Sequence, residues 1–377
     1  MKYIERKNKI INDKYTEYVY EAFDIQNKEE TTVKIPINFK ECKTFDWNIG
    51  VIYGGSGTGK TTLLKEFGDL SQDKFDEEKP LISNFDWLEP KEATFLLSAM
   101  GLASVPTWLR PYSLLSNGEQ YRASLAYKVA KAKEDDVILI DEFTSVVDRD
   151  VAKAMSNALQ KYIRKHNKRI ILASCHFDIM DWLLPDWTYS PLKGRVERHD
   201  YLRQSRPKIE LSIFRCRYET WDIFKQYHYL TEDYNKAAHS FCVTWNDKPV
   251  AFIGVLEFPG LPTKSKRFTR TVVLPDYQGL GIGSRVTDYF AKLYKKEGYD
   301  VYTRTINPAL GEYRSKSRNW VSTGKGDTKT NDKYKKVLNR PSYGFKYIGD
   351  KSTDSTDILT FNADAYKEVA QNQISMF

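Results

Sequence analysis

The sequence predicts two domains of different class: an α/β domain over residues 1–205 and an α+β domain over residues 206–370, followed by a short tail, 371–377. Three observations predict this. The first half alternates apolar runs with helix-period segments, the rhythm of a largely parallel sheet covered by helices. The second half is rich in strand patterns and carries one long amphipathic helix, opened by a glycine-rich turn. The charge is also divided. Of the chain's 58 Lys and Arg and 50 Asp and Glu, residues 206–377 hold 28 and 19, leaving 30 and 31 for residues 1–205. The positive excess therefore lies wholly in the second half. Such a basic field suits a polyanionic partner, and it also serves plain solubility.

At 377 residues the chain can bury two cores, and 41% apolar with 29% charged residues is ordinary for a globular protein. No run approaches the ~18 apolar residues of a membrane span, so no membrane partner is expected. The opening residues MKYIERKNKI lack the apolar core of a signal peptide. Cys42, Cys175, Cys216 and Cys242 form no CxxC pair. That argues against a zinc site or disulfide framework and points to a reducing cytoplasm.

In the first domain, residues 17–45 read as short strands and turns, a small antiparallel subdomain. Val51–Tyr53, Leu81–Ile82, Val137–Ile140 and Arg169–Ala173 read as strands of the main sheet. After the first of these comes Gly54-Gly55-Ser56-Gly57-Thr58-Gly59-Lys60-Thr61, then Thr62 and a helical pattern. The glycines let consecutive amides turn inward around phosphate oxygens at a helix N-terminus. Lys60 would reach the β- and γ-phosphates of ATP, and Thr61 would ligate Mg2+. The strand Val137–Ile140 ends in Asp141-Glu142, placing Asp141 near the Mg2+ shell and Glu142 where it can polarise the attacking water.

Leu115-Ser116-Asn117-Gly118-Glu119-Gln120 resembles the ABC signature, and Ser116 with Glu119 also makes a capping box for the helix that follows. Ser145-Val-Val-Asp148 resembles the D-loop, and His176 the switch histidine. On these motifs the first domain resembles soluble ABC-type P-loop ATPases of chromosome maintenance and DNA repair. The resemblance implies ATP, Mg2+ and an ATP-dependent homodimer closing head to tail, with Ser116, Gly118 and Asp148 facing the partner's ATP. The sequence departs from the pattern at the Q-loop: after Leu81–Ile82 there is no glutamine, and Asn84 or Asp86 is nearest. The short interval before the signature implies a small helical subdomain. Phe23 is the nominee for stacking on adenine. Arg195–Lys208 is polar and aperiodic and reads as a linker.

In the second domain, the strand Phe268–Leu274 runs into Pro275-Asp276-Tyr277-Gln278-Gly279-Leu280-Gly281-Ile282-Gly283-Ser284 and a helix over 283–297. The amides of such a turn suit a pyrophosphate. The segment resembles motif A of the GNAT superfamily. That likeness implies a GNAT fold binding acetyl-CoA or a related acyl-CoA through Leu274, Gln278, Gly279, Gly281, Gly283 and Ser284. Downstream, Tyr302–Ile306 reads as a strand, followed by Asn307 and Tyr313. The resemblance makes Asn307 a partner of the pantetheine arm and Tyr313 the acid that protonates the thiolate, although Tyr313 could also simply pack on the helix. Tyr343-Gly-Phe345 resembles the closing strand of the family.

The acceptor can be narrowed chemically. A lysine, with a pKa near ~10.4, must first lose a proton. Phe268–Leu274 contains no carboxylate for that task. An exocyclic base amine is already neutral and needs only a proton acceptor, for which His228 or Glu257 could serve; His228 reads equally well as a half-buried structural histidine. The segment Arg304–Lys346 carries 11 basic residues against 3 acidic ones, interleaved with Trp320, Tyr334 and Tyr343, a pattern suited to phosphates and unstacked bases. The domain resembles phage Mom-like DNA-modification proteins, which implies an adenine amine as acceptor, with DNA preferred over RNA. A tRNA acetyltransferase, a protein N-acetyltransferase and an ATP-switched DNA-binding protein with an inactive GNAT domain remain alternatives. The tail Gln373–Phe377 resembles the peptide by which replication proteins bind the sliding clamp.

Overall fold

A computed structural model describes residues 2–23, 26, 29–70, 73–204, 207–228, 232–328, 340–349 and 359–362. Tyr334 and the tail Gln373–Phe377 lie outside the described residues. The chain forms two compact units, each drawn from three segments. One unit takes Met1–Gln72, Ala132–Ser145 and Ile163–Gln204; the other takes Asp73–Lys131, Val146–Tyr162 and Ser205–Phe377.

In chain order the first part begins with β1 (Lys2–Lys9), α1 (Lys14–Ala22) and β2 (Glu30–Ile37), with β1 and β2 paired antiparallel. Residues 17–22, expected within strands and turns, are thus helical. The cause is a capping box: Asp13 accepts from the amides of Tyr15 and Thr16, while the Thr16 hydroxyl takes the Asp13 amide. There follow β3 (Ile49–Tyr53), α2 (Lys60–Leu64), α3 (Pro90–Ala99), α4 (Val105–Trp108), α5 (Asn117–Lys131), β4 (Val137–Ile140), α6 (Arg149–Lys165), β5 (Arg169–Ser174), α7 (Met180–Leu183), β6 (Trp187–Ser190) and β7 (Arg195–Arg198). The five-stranded sheet runs β4-β5-β3-β6-β7, parallel except where β7 turns back on β6.

Two further expectations are corrected. Leu81–Phe85 is a 3-10 turn, not a strand. Asn84 fixes it by accepting from the Asp76 amide and donating to the Pro80 carbonyl, so Asn84 is committed to its own loop. The expected linker begins as β7. Its charges conceal the strand, because only Val196 is buried among Arg195–Arg198. The core of this unit centres on Trp187, fully buried and edge-on to Trp47 at 5.5 Å. A Cβ at Gly50 would come within 2.1 Å of the Trp187 ring, so β3 must carry glycine there.

The second part comprises β8 (Ile209–Cys216), α8 (Trp221–Phe224), β9 (His239–Trp245), β10 (Lys248–Glu257), β11 (Ser265–Val273), α9 (Ile282–Lys296), β12 (Asp300–Thr305), α10 (Pro308–Lys316), β13 (Trp320–Thr328), β14 (Arg340–Tyr347) and β15 (Leu359–Asn362). They form an eight-stranded sheet in the order β13-β14-β12-β11-β10-β9-β8-β15. The pair β11 and β12 is parallel and brief, joining Ser265–Arg267 to Asp300–Tyr302. Beyond Arg267 the two strands part, which opens the sheet. Among the described residues no helix is long and apolar enough to cross a membrane.

Candidate functional site

The first loop lies between β3 and α2. Gly57 and Gly59 take left-handed φ values of 75° and 90°, which turn the chain tightly enough to present its amides inward. At Gly59 a Cβ would also meet Ile35 Cδ1 at 2.5 Å. Lys60 Nζ donates to the carbonyls of Gly54 (2.9 Å) and Gly55 (2.7 Å), and Thr58 Oγ1 donates to Gly55 O. The first helical amide bond of α2 is Leu63 to Gly59, so the amides of Lys60, Thr61 and Thr62 have no helical acceptor. Ser56 and Thr61 are exposed.

At the end of β4 the Asp141 carboxylate accepts from the Glu142 amide, and Glu142 itself is exposed with φ of 49°. A left-handed conformation on a residue with a side chain costs ~1–2 kcal/mol and marks a constrained position. His176 follows β5: its Nδ1 lies 3.2 Å from Thr144 Oγ1, and its amide donates to Ser174 Oγ. Phe23 is 68% exposed at the end of α1.

The signature segment, in the other unit, builds the capping box at full strength. Glu119 Oε2 accepts from the amide and hydroxyl of Ser116, the Glu119 amide donates to Ser116 Oγ, and Thr107 Oγ1 donates to Glu119 Oε1. Asp148 caps α6, accepting from the Asp150 amide. Asp86 is exposed, and residues 73–119 contain no glutamine.

Where β11 and β12 part lies a cleft of about 540 Å3. Gln278, Gly279, Gly281, Gly283 and Ser284 line one part of it, and His228, Asn307 and Tyr313 line another. Gly279 and Gly281 adopt φ of 87° and 83°, and α9 begins with Arg285 N to Gly281 O, leaving the amides of Ile282, Gly283 and Ser284 without helical acceptors. A Cβ at Gly281 would meet nothing nearer than Ser284 Oγ at 3.9 Å, so this position opens on free space. Asn307 caps α10, accepting from the Leu310 amide. Tyr313 is 43% exposed. His228 is 8% exposed, its ring edge-on to Trp221 at 5.6 Å.

Four cations, Lys161, Arg270, Arg304 and Arg314, share the lining, and no carboxylate is found among its described residues. Sequence reasoning did not single out Lys161, Arg270 or Tyr227. Lys161 comes from α6, distant in sequence, and no local motif marks it.

Several expected residues are placed elsewhere. Glu257 is not part of the cleft lining; it sits opposite Lys266 across β10 and β11 and pairs with it. Leu274 packs beside Trp221 and Phe224 and is likewise outside the lining. The Gln278 side chain is spent internally, donating to Val273 O and accepting from the Ala103 amide. Trp320 is 4% exposed and donates to Asp288, so it offers no face for a base, and Tyr343 is half-buried against Gly311.

The acetyltransferase (GNAT) family model matches residues 206–313. No curated protein matches the chain. Among solved structures, the ATP-binding cassette MJ0796, dimeric in a post-hydrolysis state with ADP and Pi, is 16% identical, covering 46% of this chain and 94% of its own, with a TM-score of 0.34. A Bacillus subtilis acetyltransferase in complex with CoA is 12% identical, covering 37% and 98%, with a TM-score of 0.30. An IAA acetyltransferase from Bacillus cereus is 12% identical, covering 36% and 98%, with a TM-score of 0.30. The family match likens residues 206–313 to GNAT acetyltransferases, while the α/β region is a largely parallel five-stranded sheet with a glycine loop between β3 and α2. The family match supports acyl transfer.

Proposed function

We propose that the protein is an ATP-hydrolysing, acyl-CoA-dependent N-acyltransferase acting on the exocyclic amine of a nucleic-acid base, adenine in DNA. The observation that carries the acceptor is the lining of the cleft: four cations and, among its described residues, no carboxylate. A lysine ammonium would be repelled there, and no acidic side chain waits to deprotonate it. A base amine enters neutral, attached to a backbone whose phosphates the cations favour.

In this reading the amides of Ile282, Gly283 and Ser284 hold the coenzyme pyrophosphate, and the unpaired edge of β11 receives the pantetheine arm. The amine attacks the thioester carbonyl, His228 takes the proton the amine gives up, and Tyr313 returns one to the departing thiolate. In the other unit Lys60 would meet the phosphates, Thr61 and Asp141 would hold Mg2+, and Glu142 would orient water, with His176 beside it. The homodimer would place Ser116 and Gly118 of one copy on the nucleotide of the other.

Nucleoside mass spectrometry of DNA and RNA from cells making the protein tests the acceptor. An acyl-type mass increment on deoxyadenosine, lost in Tyr313→Phe, is expected. An increment confined to RNA nucleosides would replace this reading with the tRNA one, and modified protein lysines with unmodified nucleosides would refute both.

A further inference from the structure

The glycine loop of the acyl-transfer cleft is gripped by the helices that follow the two ATPase motifs of its own unit. We propose, resting on the acyl-CoA and head-to-tail dimer reading above, that Arg122 and Asn157 are positioning residues for the pyrophosphate loop, so that nucleotide engagement and acyl-CoA binding are thermodynamically linked.

The contacts fall on five consecutive residues. Arg122, in the second turn of α5 and 1% exposed, donates from Nη1 to Pro275 O at 3.0 Å and pairs through Nη2 with Asp276 Oδ1 at 3.0 Å. The Ala103 amide donates to Gln278 Oε1 at 2.7 Å. Asn157 Nδ2, on α6, donates to Gly279 O at 2.9 Å. Gly279 has no room for a side chain, since a Cβ would lie 2.8 Å from Ala158 Cβ and 3.5 Å from Ala154 O. The sequence assigned Gly279 to the ligand; the structure assigns its missing side chain to the approach of α6. Burial, and then the charges of Asp150, Asp148 and Asp276, push the Tyr277 hydroxyl up to about 12.

Two residues beyond this grip, Gly281 begins the amide cradle. The helix α5 starts directly after signature Ser116, and α6 is capped by D-loop Asp148, the two motifs that the dimer reading sets against the partner's ATP. A buried guanidinium keeps its partners when its helix moves, because leaving the charge unpaired is costly. Close-packed contacts such as Gly279 on Ala158 deform little. A shift of either helix therefore moves the loop, and holding the loop in its ligand-bound form resists that shift.

Linkage of this kind is reciprocal. Full-length Glu142→Gln protein, which retains ATP, is titrated with acetyl-CoA by calorimetry with and without saturating MgATP, and with MgATP with and without saturating acetyl-CoA. A change in acetyl-CoA affinity of at least about fivefold is expected, matched by the same factor in the reverse titration. Arg122→Met and Asp276→Ala, made in the Glu142→Gln background, should reduce the factor below about twofold while each ligand alone still binds. Asp276 is 54% exposed and its substitution spares the core, so the proposal stays testable if Arg122→Met fails to fold. A factor of one in the parent with both ligands bound, or an undiminished factor in Asp276→Ala, overturns the linkage and leaves the functional reading intact. Absence of acetyl-CoA binding in every state overturns the acyl-transfer reading, and the linkage with it.

Discussion

Two glycine loops open two helices in this molecule, and they are held in opposite ways. Both place two glycines in the left-handed region just before a helix: Gly57 and Gly59 at φ of 75° and 90°, Gly279 and Gly281 at 87° and 83°. The side chains that tie the first loop are its own, Lys60 and Thr58 on the carbonyls of Gly54 and Gly55, beside one backbone bond from the Gly54 amide to Ser174 O. The second is tied from Ala103, Arg122 and Asn157, which lie 175, 153 and 122 residues from their bonding partners. A loop whose side-chain ties are its own depends less on distant helices. A loop tied from distant helices reports on those helices, which makes it a place where one site can influence another.

The comparison can be broken most severely by chemistry. Glu142→Gln removes the group proposed to polarise water, so ATP turnover should fall by ~10²–10⁴ with nucleotide binding retained. MgATP should then hold the protein as a dimer in light scattering. A monomer with ATP demonstrably bound would contradict the head-to-tail arrangement. The next test concerns the loops themselves. Gly279→Ala should cost about 2–5 kcal/mol, combining ~1–2 for the left-handed backbone with ~1–3 for overpacking against Ala158. Gly57→Ala, where a Cβ meets nothing within 4 Å, should cost only the backbone share of ~1–2 kcal/mol. Adding Ala158→Gly should recover part of the Gly279→Ala loss in denaturant unfolding; no recovery would mean that α6 does not seat on the loop.

The smallest effect is one of pH. Hydrogen bonds from Lys346, then Thr263, hold the Asp300 carboxyl down at about 2. Its folded pKa lies below its unfolded value, so the stability it adds is complete above the ordinary carboxylate range and disappears as pH falls towards about 2. Asp300→Asn should therefore flatten the acid limb of the stability curve slightly and leave it unchanged at neutral pH relative to its own plateau. A steeper acid limb would contradict the assignment. Asp300 starts β12 at the brief pairing with β11, so this test reports on the pairing beyond which the two strands part.

What the sequence revealed divides along the same line. The Lys60 loop, the Asp141-Glu142 strand end, the Ser116–Glu119 capping box and the turn at Gly281 were legible because each is made by neighbours in sequence. Leu81–Phe85 misled because an apolar pair reads as a strand until Asn84 is seen locking Asp76 and Pro80 into a turn. The charges of Arg195–Arg198 concealed a strand that buries one valine. Trp320 read as a stacking face, yet its ring is buried and donates to Asp288, a contact no spacing announces. Lys161 in the cleft and the grip of Arg122 on Pro275 and Asp276 were beyond local reading for the same reason.

The central claim is that the two loops serve two different ligands, and one measurement tests it directly. Calorimetric titration of MgATP and of acetyl-CoA, each alone, into Lys60→Ala and Gly281→Glu should give crossed losses. Lys60→Ala should lose at least about tenfold in ATP affinity, the size of one charge-assisted bond, and bind acetyl-CoA as the parent does. Gly281→Glu puts a side chain and a negative charge where the pyrophosphate would lie, so it should lose acetyl-CoA and keep ATP. If folded Gly281→Glu binds acetyl-CoA unchanged, or if Lys60→Ala loses acetyl-CoA along with ATP, the assignment of the two loops is contradicted.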